Sequence, residues 1–202
     1  VMDLTSPYLG LTLRNPLLAG ASPLSRTVDG VCRLDDAGVG AVVLHSLFEE
    51  QVRAEAERTA RLAAQGAETY AESLSYFPAD IGGKDVSHRY LRLLERAASA
   101  VDIPVIGSLN GANPGGWSRY ARSIQDAGAA AIELNIYYLP GDPYVDARGV
   151  ENRHVDIVAA VKQAVTVPVA VCMRPAGRYP SQFWVRPAAT SAAPTMGTTK
   201  SS

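Results

Sequence analysis

The sequence has little cysteine, little aromatic character and no excess of either charge. Two cysteines, far apart among 202 residues, predict neither a disulfide framework nor a paired-cysteine metal site. Lys and Arg number 19 against 20 Asp and Glu, and this balance predicts neither nucleic acid nor an anionic membrane as a partner. No apolar run approaches the roughly 18 residues of a transmembrane helix, and we expect no signal peptide. A protein of the reducing cytoplasm is the resulting prediction.

Two repeated phrases define the organisation of the chain. Asp36–Gly38 and Asp126–Gly128 both read DAG, and each follows an amphipathic stretch and precedes a short apolar run. Glycine just after a helix suits left-handed backbone, and a continuous apolar run is typical of a strand covered on both faces. In the second phrase, Pro104 and Pro168 end a helix and open a strand. The chain is therefore predicted to alternate between helices and strands.

The alternation favours a parallel sheet with right-handed crossovers. The predicted strands are 17–21, 41–46, 104–108, 131–136 and 168–172, and the predicted helices are 27–37, roughly 48–65, 86–101, 116–127 and 150–165. Two architectures fit this order, a (β/α)-barrel and an open doubly wound sheet. The barrel is favoured because no G-x-G-x-x-G follows the first strand and because polar residues end several different strands.

Residues 172–202 differ in composition from the rest of the chain. They include no Asp, Glu, Leu or Ile and are rich in Pro, Ala, Ser and Thr, which predicts a disordered or frame-shifted tail. A complete barrel takes about 250 residues. We therefore predict an α/β fold, a (β/α)8 TIM barrel truncated after about five strand–helix units, over residues 1–171. Its two open sheet edges favour association with another copy.

Small and polar residues follow the predicted strands. They are Ala21, Ser22, His45, Ser46, Asn110 and Asn135. Because the carboxyl ends of parallel barrel strands meet at one mouth, we expect these residues to line one pocket. Small residues let a flat ligand approach the backbone, and asparagines offer donors and acceptors to a heterocycle. The pattern predicts a site for a planar cofactor such as a flavin; the alternative is that each residue only caps a strand or turn.

Several phrases resemble the N-terminal half of dihydroorotate dehydrogenase-like proteins. These phrases, within residues 3–171, are YLGLTLRNPLLAGASPL, GAVVLHSLFE, IPVIGSLNG and AGAAAIELNIYYLPGDP. The resemblance implies a barrel that holds FMN at its C-terminal mouth and oxidises dihydroorotate, a small molecule, to orotate in pyrimidine synthesis. His45-Ser46 stands where the family usually has Lys-Ser. The implied contacts to the flavin ring or the substrate come from Ala21, Ser22, His45, Ser46 and Asn135.

Three positions depart from the family's pattern. Tyr138, the candidate catalytic residue, stands where the family has a Cys or Ser base, and a phenol with a pKa of about 10 is a poor base. Pro140 replaces a substrate-binding asparagine, and Cys172 replaces a lysine beside the flavin, with Arg174 two residues further on. Three functions stay open: an FMN oxidoreductase, a catalytically inactive remnant, and a barrel fragment that acts only with another chain.

Overall fold

The chain folds as a β-sheet with helices, in a computed structural model that describes residues 2–69, 86–111, 114–136, 146–173 and 182–185. The strands are β1 (Ser6–Tyr8), β2 (Leu11–Leu13), β3 (Leu18–Ala19), β4 (Ala41–Val43), β5 (Leu47–Phe48), β6 (Val105–Gly111), β7 (Ala131–Ile136), β8 (Val169–Met173) and β9 (Gln182–Val185). The helices are α1 (Val28–Asp36), α2 (Glu49–Thr69), α3 (Val86–Ala100), α4 (Pro114–Asp126) and α5 (Ala147–Ala164), with a 3₁₀ turn at Pro23–Arg26. The main predicted strands and helices are thus present, with ends that differ by a few residues.

The order of the strands decides between the two predicted architectures. Strands β3, β4, β6, β7 and β8 lie side by side in chain order, and every neighbouring pair is parallel. An open doubly wound sheet reverses its order at a switch point and carries helices on both faces. The described residues show no reversal, and the sheet is a curled half-barrel of five parallel strands. The doubly wound alternative is excluded for this part of the chain.

The two faces of the sheet pack against different elements. One face joins a helix-covered core, to which β4 contributes Val42, β6 Leu109 and β7 Leu134. The other face packs against a β-hairpin instead of a helix. Its apolar side chains are Leu18, Ala41, Val43, Ile106 and Ala131, which pack against Tyr8, Leu9, Leu11 and Leu13 of the hairpin. We call the second surface the inner face.

The hairpin that covers the inner face is absent from the predictions made from sequence. Strands β1 and β2 pair antiparallel, and their two turn residues, Leu9 and Gly10, have φ values of 53° and 81°. Positive φ at both positions is typical of a type I′ turn, which favours a two-residue hairpin. Leu13 at the end of β2 is buried. The hairpin therefore closes the end of the inner face from which the parallel strands begin.

The repeated phrases act as predicted. Gly38 and Gly128 have φ values of 90° and 95°, so both occupy the left-handed position after a helix. Pro104 and Pro168 each precede a strand, and their carbonyl oxygens accept hydrogen bonds from the neighbouring strands at 3.0 and 2.9 Å. The helices are amphipathic, and no helix in the described ranges is long and apolar enough to cross a membrane.

The structure departs from the predicted tail at two places. Cys172 and Met173 belong to β8, and Gln182–Val185 form β9, which pairs antiparallel with β8. The sequence QFWV has the aromatic and β-branched character of a strand, which the overall composition of the tail concealed. Only residues 174–181 separate the two strands, too few for a parallel crossover, so β9 returns antiparallel. The edge of β8, predicted to be open, is therefore paired. The rest of the predicted tail lies outside the described residues.

Candidate functional site

The functional part of the inner face lies beyond its apolar layer. Side chains of a strand alternate between faces, so the face that begins with Ile106 continues to Ser108, and the face that begins with Ala131 continues to Glu133 and Asn135. Ser108 is fully buried and Asn135 is 7% exposed. The inner face thus changes from apolar to polar toward the carboxyl ends of its strands, the end where a barrel keeps its chemistry.

Four polar side chains from three neighbouring segments join in one hydrogen-bond network. The Oγ atoms of Ser46 and Ser108 are 2.9 Å apart. Ser108 Oγ donates to Glu133 Oε1 at 3.2 Å. Asn135 Nδ2 lies 3.0 Å from Ser108 Oγ and 3.1 Å from Glu133 Oε1. We call Ser46, Ser108, Glu133 and Asn135 the polar network.

A break in the second predicted strand gives this network its shape. Pairing with β6 ends at Val43 and resumes at Leu47, so the single predicted strand 41–46 is two short strands. The intervening His45-Ser46 segment leaves the ladder, which frees the backbone of Ser108 on that side. The hydroxyl of Tyr90, from α3, makes hydrogen bonds to this backbone instead. It accepts from Ser108 N at 2.8 Å and donates to Ser108 O at 3.2 Å.

His45 lies beside this break as a neutral ring. Its ring meets that of Tyr90 edge-on, with centroids 5.2 Å apart and an interplanar angle of 70°. Burial lowers the pKa of His45 from its ordinary value of 6.5, an effect that a hydrogen bond with the backbone of Ser25 opposes and the charge of Arg26 reinforces. Its Nδ1 is buried without a hydrogen-bond partner. His45 therefore supplies no positive charge at neutral pH.

The charge of Glu133 reaches two further residues at the inner face. Burial, and then the charge of Glu133, raise the pKa of Tyr8 to about 12. The same two causes, in the same order, raise the pKa of the Cys172 thiol. Cys172 is paired in register with Asn135 on the neighbouring strand. At the position where the resemblance implies a lysine, the structure therefore has a neutral thiol.

The structure brings some of the predicted site residues together and leaves others apart. Ser46 and Asn135 belong to the polar network, and His45 borders it through Tyr90. Asn110 is buried and paired in register with Asn135, but it lies outside the network and lines a cavity of about 10 Å³. That volume suits one water molecule.

The remaining predicted positions are less informative. Ser22 precedes the 3₁₀ turn, and its carbonyl accepts from Ser25 Oγ at 3.0 Å. Ala21 is exposed at the end of the first parallel strand, β3. Tyr138, Pro140 and Arg174 lie outside the described residues, so their predicted roles stay predictions. Among the described residues, no group of three His, Cys, Asp or Glu could hold a metal ion.

Sequence reasoning missed three residues of the site. Ser108, Glu133 and Tyr90 are not among the site residues expected from the sequence. The period-2 alternation places Ser108 with Asn110 and Glu133 with Asn135 on common faces, so this signal was available in the sequence. Nothing comparable marks Tyr90, because its partner is backbone that only the break in the second strand exposes.

The chain is similar to curated proteins named dihydroorotate dehydrogenase. No protein-family model matches. The chain is 32% identical over 169 residues to the protein named dihydroorotate dehydrogenase B (NAD(+)), catalytic subunit, of Methanosarcina mazei, covering 82% of this chain and 51% of that one. A protein of the same name from Methanocella arvoryzae is 31% identical over 175 residues, covering 86% and 54%. The chain is dihydroorotate dehydrogenase-like. It spans about half the length of these curated relatives.

Solved structures show weaker similarity to this dihydroorotate dehydrogenase-like chain. A dihydrodipicolinate synthase from Bacillus anthracis aligns with a TM-score of 0.46 at 16% identity, covering 77% of this chain and 44% of that one. A phosphonopyruvate hydrolase aligns with a TM-score of 0.43 at 19% identity, covering 78% and 47%. Similarity at this level carries no argument about fold or activity.

Proposed function

We propose that this chain forms the flavin-binding end of an FMN-dependent oxidoreductase of the dihydroorotate dehydrogenase kind. One observation carries the proposal. Ser46 and Asn135, two of the residues that the resemblance assigns to the flavin or the substrate, are held together by a network that Ser108 and Glu133 complete. Ser108 and Asn135 are buried and Ser46 and Glu133 are partly buried, and the network gives each of them the hydrogen-bond partner that burial of a polar group requires.

The residues present fit the edge of a planar heterocycle. Asn135 lies near the carboxyl end of β7 and is 7% exposed, and Ser46 lies in the break between β4 and β5. Hydroxyl and amide groups match the alternating N–H and C=O groups at the edge of a flavin or a pyrimidine. They would hold the ring by its edge, and the apolar layer of Val43 and Ile106 below would keep water from that end. Bound FMN would supply the two-electron acceptor.

An inactive remnant is the second candidate function, and a specific observation favours it. The chain has no positive charge where the resemblance implies two lysines: His45 is neutral because burial lowers its pKa, and Cys172 is a neutral thiol because its pKa is raised. A cation at such a position stabilises negative charge that develops on a ring. Without it, these residues bind and orient a heterocycle but do not favour the charged form.

Anaerobic mixing separates the two candidates. The purified chain is loaded with FMN, freed of excess by gel filtration, and mixed with dihydroorotate while the visible absorbance is followed. Bleaching of bound flavin supports the oxidoreductase, and bound flavin that does not bleach supports the remnant. Failure to retain any flavin contradicts the oxidoreductase and is the result expected of a remnant that has lost flavin binding. Where bleaching occurs, Tyr138→Phe tests whether that phenol takes the proton. A cytoplasmic location and association with a second copy remain predictions from the sequence.

A further inference from the structure

The hydrogen bonds around Glu133 have only one consistent direction. An ionised carboxylate accepts and never donates. Ser108 must therefore give its single hydroxyl proton to Glu133 Oε1, over 3.2 Å, and Asn135 Nδ2 must donate to the same oxygen, over 3.1 Å. With its proton committed, Ser108 Oγ can only accept from its other neighbours. It accepts from Asn135 Nδ2 at 3.0 Å and from Ser46 Oγ at 2.9 Å.

This direction fixes which end of the Asn135 amide meets the network. Its Nδ2 contacts both Ser108 Oγ and Glu133 Oε1, whereas no described residue donates to its Oδ1. Turning the amide over would place Oδ1 against a carboxylate oxygen, and two acceptors repel. The orientation of an asparagine amide is normally assigned from its partners, and here a charged partner determines it.

We propose that Glu133 is a positioning residue, which holds Asn135 so that it offers only its Oδ1 acceptor to a ligand N–H. The sequence had suggested an asparagine that both donates and accepts. The structure narrows this to an acceptor, and the ligand class follows: a planar heterocycle with an N–H on the edge that faces Asn135. The ligand rests on the proposed function, whereas the orientation of the amide does not.

The orientation is tested first in the ligand-free protein by NMR. The side-chain amide protons of Asn135, assigned by their loss in Asn135→Ala, are compared with those of Asn152, which is exposed on α5. We expect both Asn135 protons to exchange with water at least about tenfold more slowly than those of Asn152, as for bonds to a charged group. Fast exchange of either proton in the wild-type protein overturns the proposal.

Glu133→Gln supplies the matched variant. It keeps the size of the side chain, but a Gln amide donates as well as accepts, so Asn135 can turn over and should lose most of its protection. Unchanged protection in a variant that folds normally by circular dichroism overturns the proposal. If the variant does not fold, the exchange of both Asn135 amide protons in the wild-type protein decides the proposal.

The ligand arm uses orotate and its two N-methyl derivatives as probes. The wild-type protein should bind orotate about tenfold more tightly than the derivative that lacks the contacting N–H, and Glu133→Gln should lose that preference. An equal preference in both proteins contradicts the acceptor role. If neither protein binds orotate, the proposed function and the ligand assignment both fail, while the exchange measurement decides the orientation separately.

Discussion

The hydroxyl of Tyr90 replaces a missing strand at Ser108. It accepts from the backbone N–H of Ser108 at 2.8 Å and donates to the backbone carbonyl of the same residue at 3.2 Å. Both residues are buried, and Tyr90 is 2% exposed. A helix side chain thereby provides the hydrogen bonds that a neighbouring strand would otherwise make to Ser108.

Replacing Tyr90 by Phe should destabilise the protein. The change leaves a buried N–H and a buried C=O without partners, at a cost of about 1–3 kcal/mol in the free energy of unfolding. Thermal unfolding should show this as a lower midpoint, by about 2–4 °C per kcal/mol. Tyr120→Phe is the control, because that hydroxyl only accepts from Arg119 at 3.4 Å. Equal effects of the two changes would contradict the role given to Tyr90.

Gly107 is required by the close packing of α4 on β6. A Cβ at this position would clash with Ile124 Cγ2 and lie 3.6 Å from Leu94 Cδ1. Overpacking of this kind costs about 1–3 kcal/mol, so Gly107→Ala should lower the urea midpoint of unfolding. Gly20→Ala, where a Cβ meets nothing within 4 Å, should stay within about 0.5 kcal/mol. An unchanged urea midpoint in Gly107→Ala would show that α4 packs less closely on β6 than described.

His45 should make stability depend on pH in a defined direction. Burial lowers its pKa in the folded state below 6.5, so the unfolded chain binds a proton that the folded chain resists. The free energy of unfolding should therefore fall as the pH drops below about 6.5 toward the lowered pKa. NMR titration of the ring gives the pKa directly. His45→Gln should flatten this pH dependence, and an unchanged pH dependence in that variant refutes the assignment.

The thiol of Cys172 should react slowly with alkylating reagents. Burial and the charge of Glu133 raise its pKa, so the thiolate fraction at pH 8 is lower than that of an ordinary cysteine. In a Cys32→Ser background, iodoacetamide should alkylate Cys172 more slowly than a free peptide thiol, as mass spectrometry would measure. Glu133→Gln should speed the reaction and Glu151→Gln, exposed on α5, should not. An alkylation rate that does not change in Glu133→Gln would exclude an electrostatic contribution of Glu133 to the pKa of Cys172.

Local patterns predicted the elements well because each depends on nearby residues. The DAG phrases placed Gly38 and Gly128 in left-handed backbone, and Pro104 and Pro168 marked the starts of two strands. The hairpin was missed because its Leu9–Gly10 turn is not one of the common Asn-Gly or Asp-Gly pairs. Strand β9 was missed because the average composition of its segment concealed three strand-forming residues, Phe183, Trp184 and Val185.

The sequence predicts only those site residues that directly follow, or lie at, the carboxyl end of a predicted strand. Ser46 and Asn135 follow from the rule that parallel strands carry polar groups at their carboxyl ends. Tyr90 could not be predicted, since its role exists only because β4 and β5 separate around His45. The direction of the network needed distances, because only contact with Glu133 determines which way the amide of Asn135 faces.

Titration with FMN tests the central claim, that the polar network binds a flavin, most directly. Quenching of flavin fluorescence gives the dissociation constant for the wild-type chain, for Asn135→Ala and for Asn152→Ala, an exposed control on α5. We predict measurable binding by the wild-type chain and the control, and binding about tenfold weaker for Asn135→Ala, as expected for the loss of a ligand hydrogen bond. No binding by the wild-type chain, or equal binding by all three proteins, would contradict the claim.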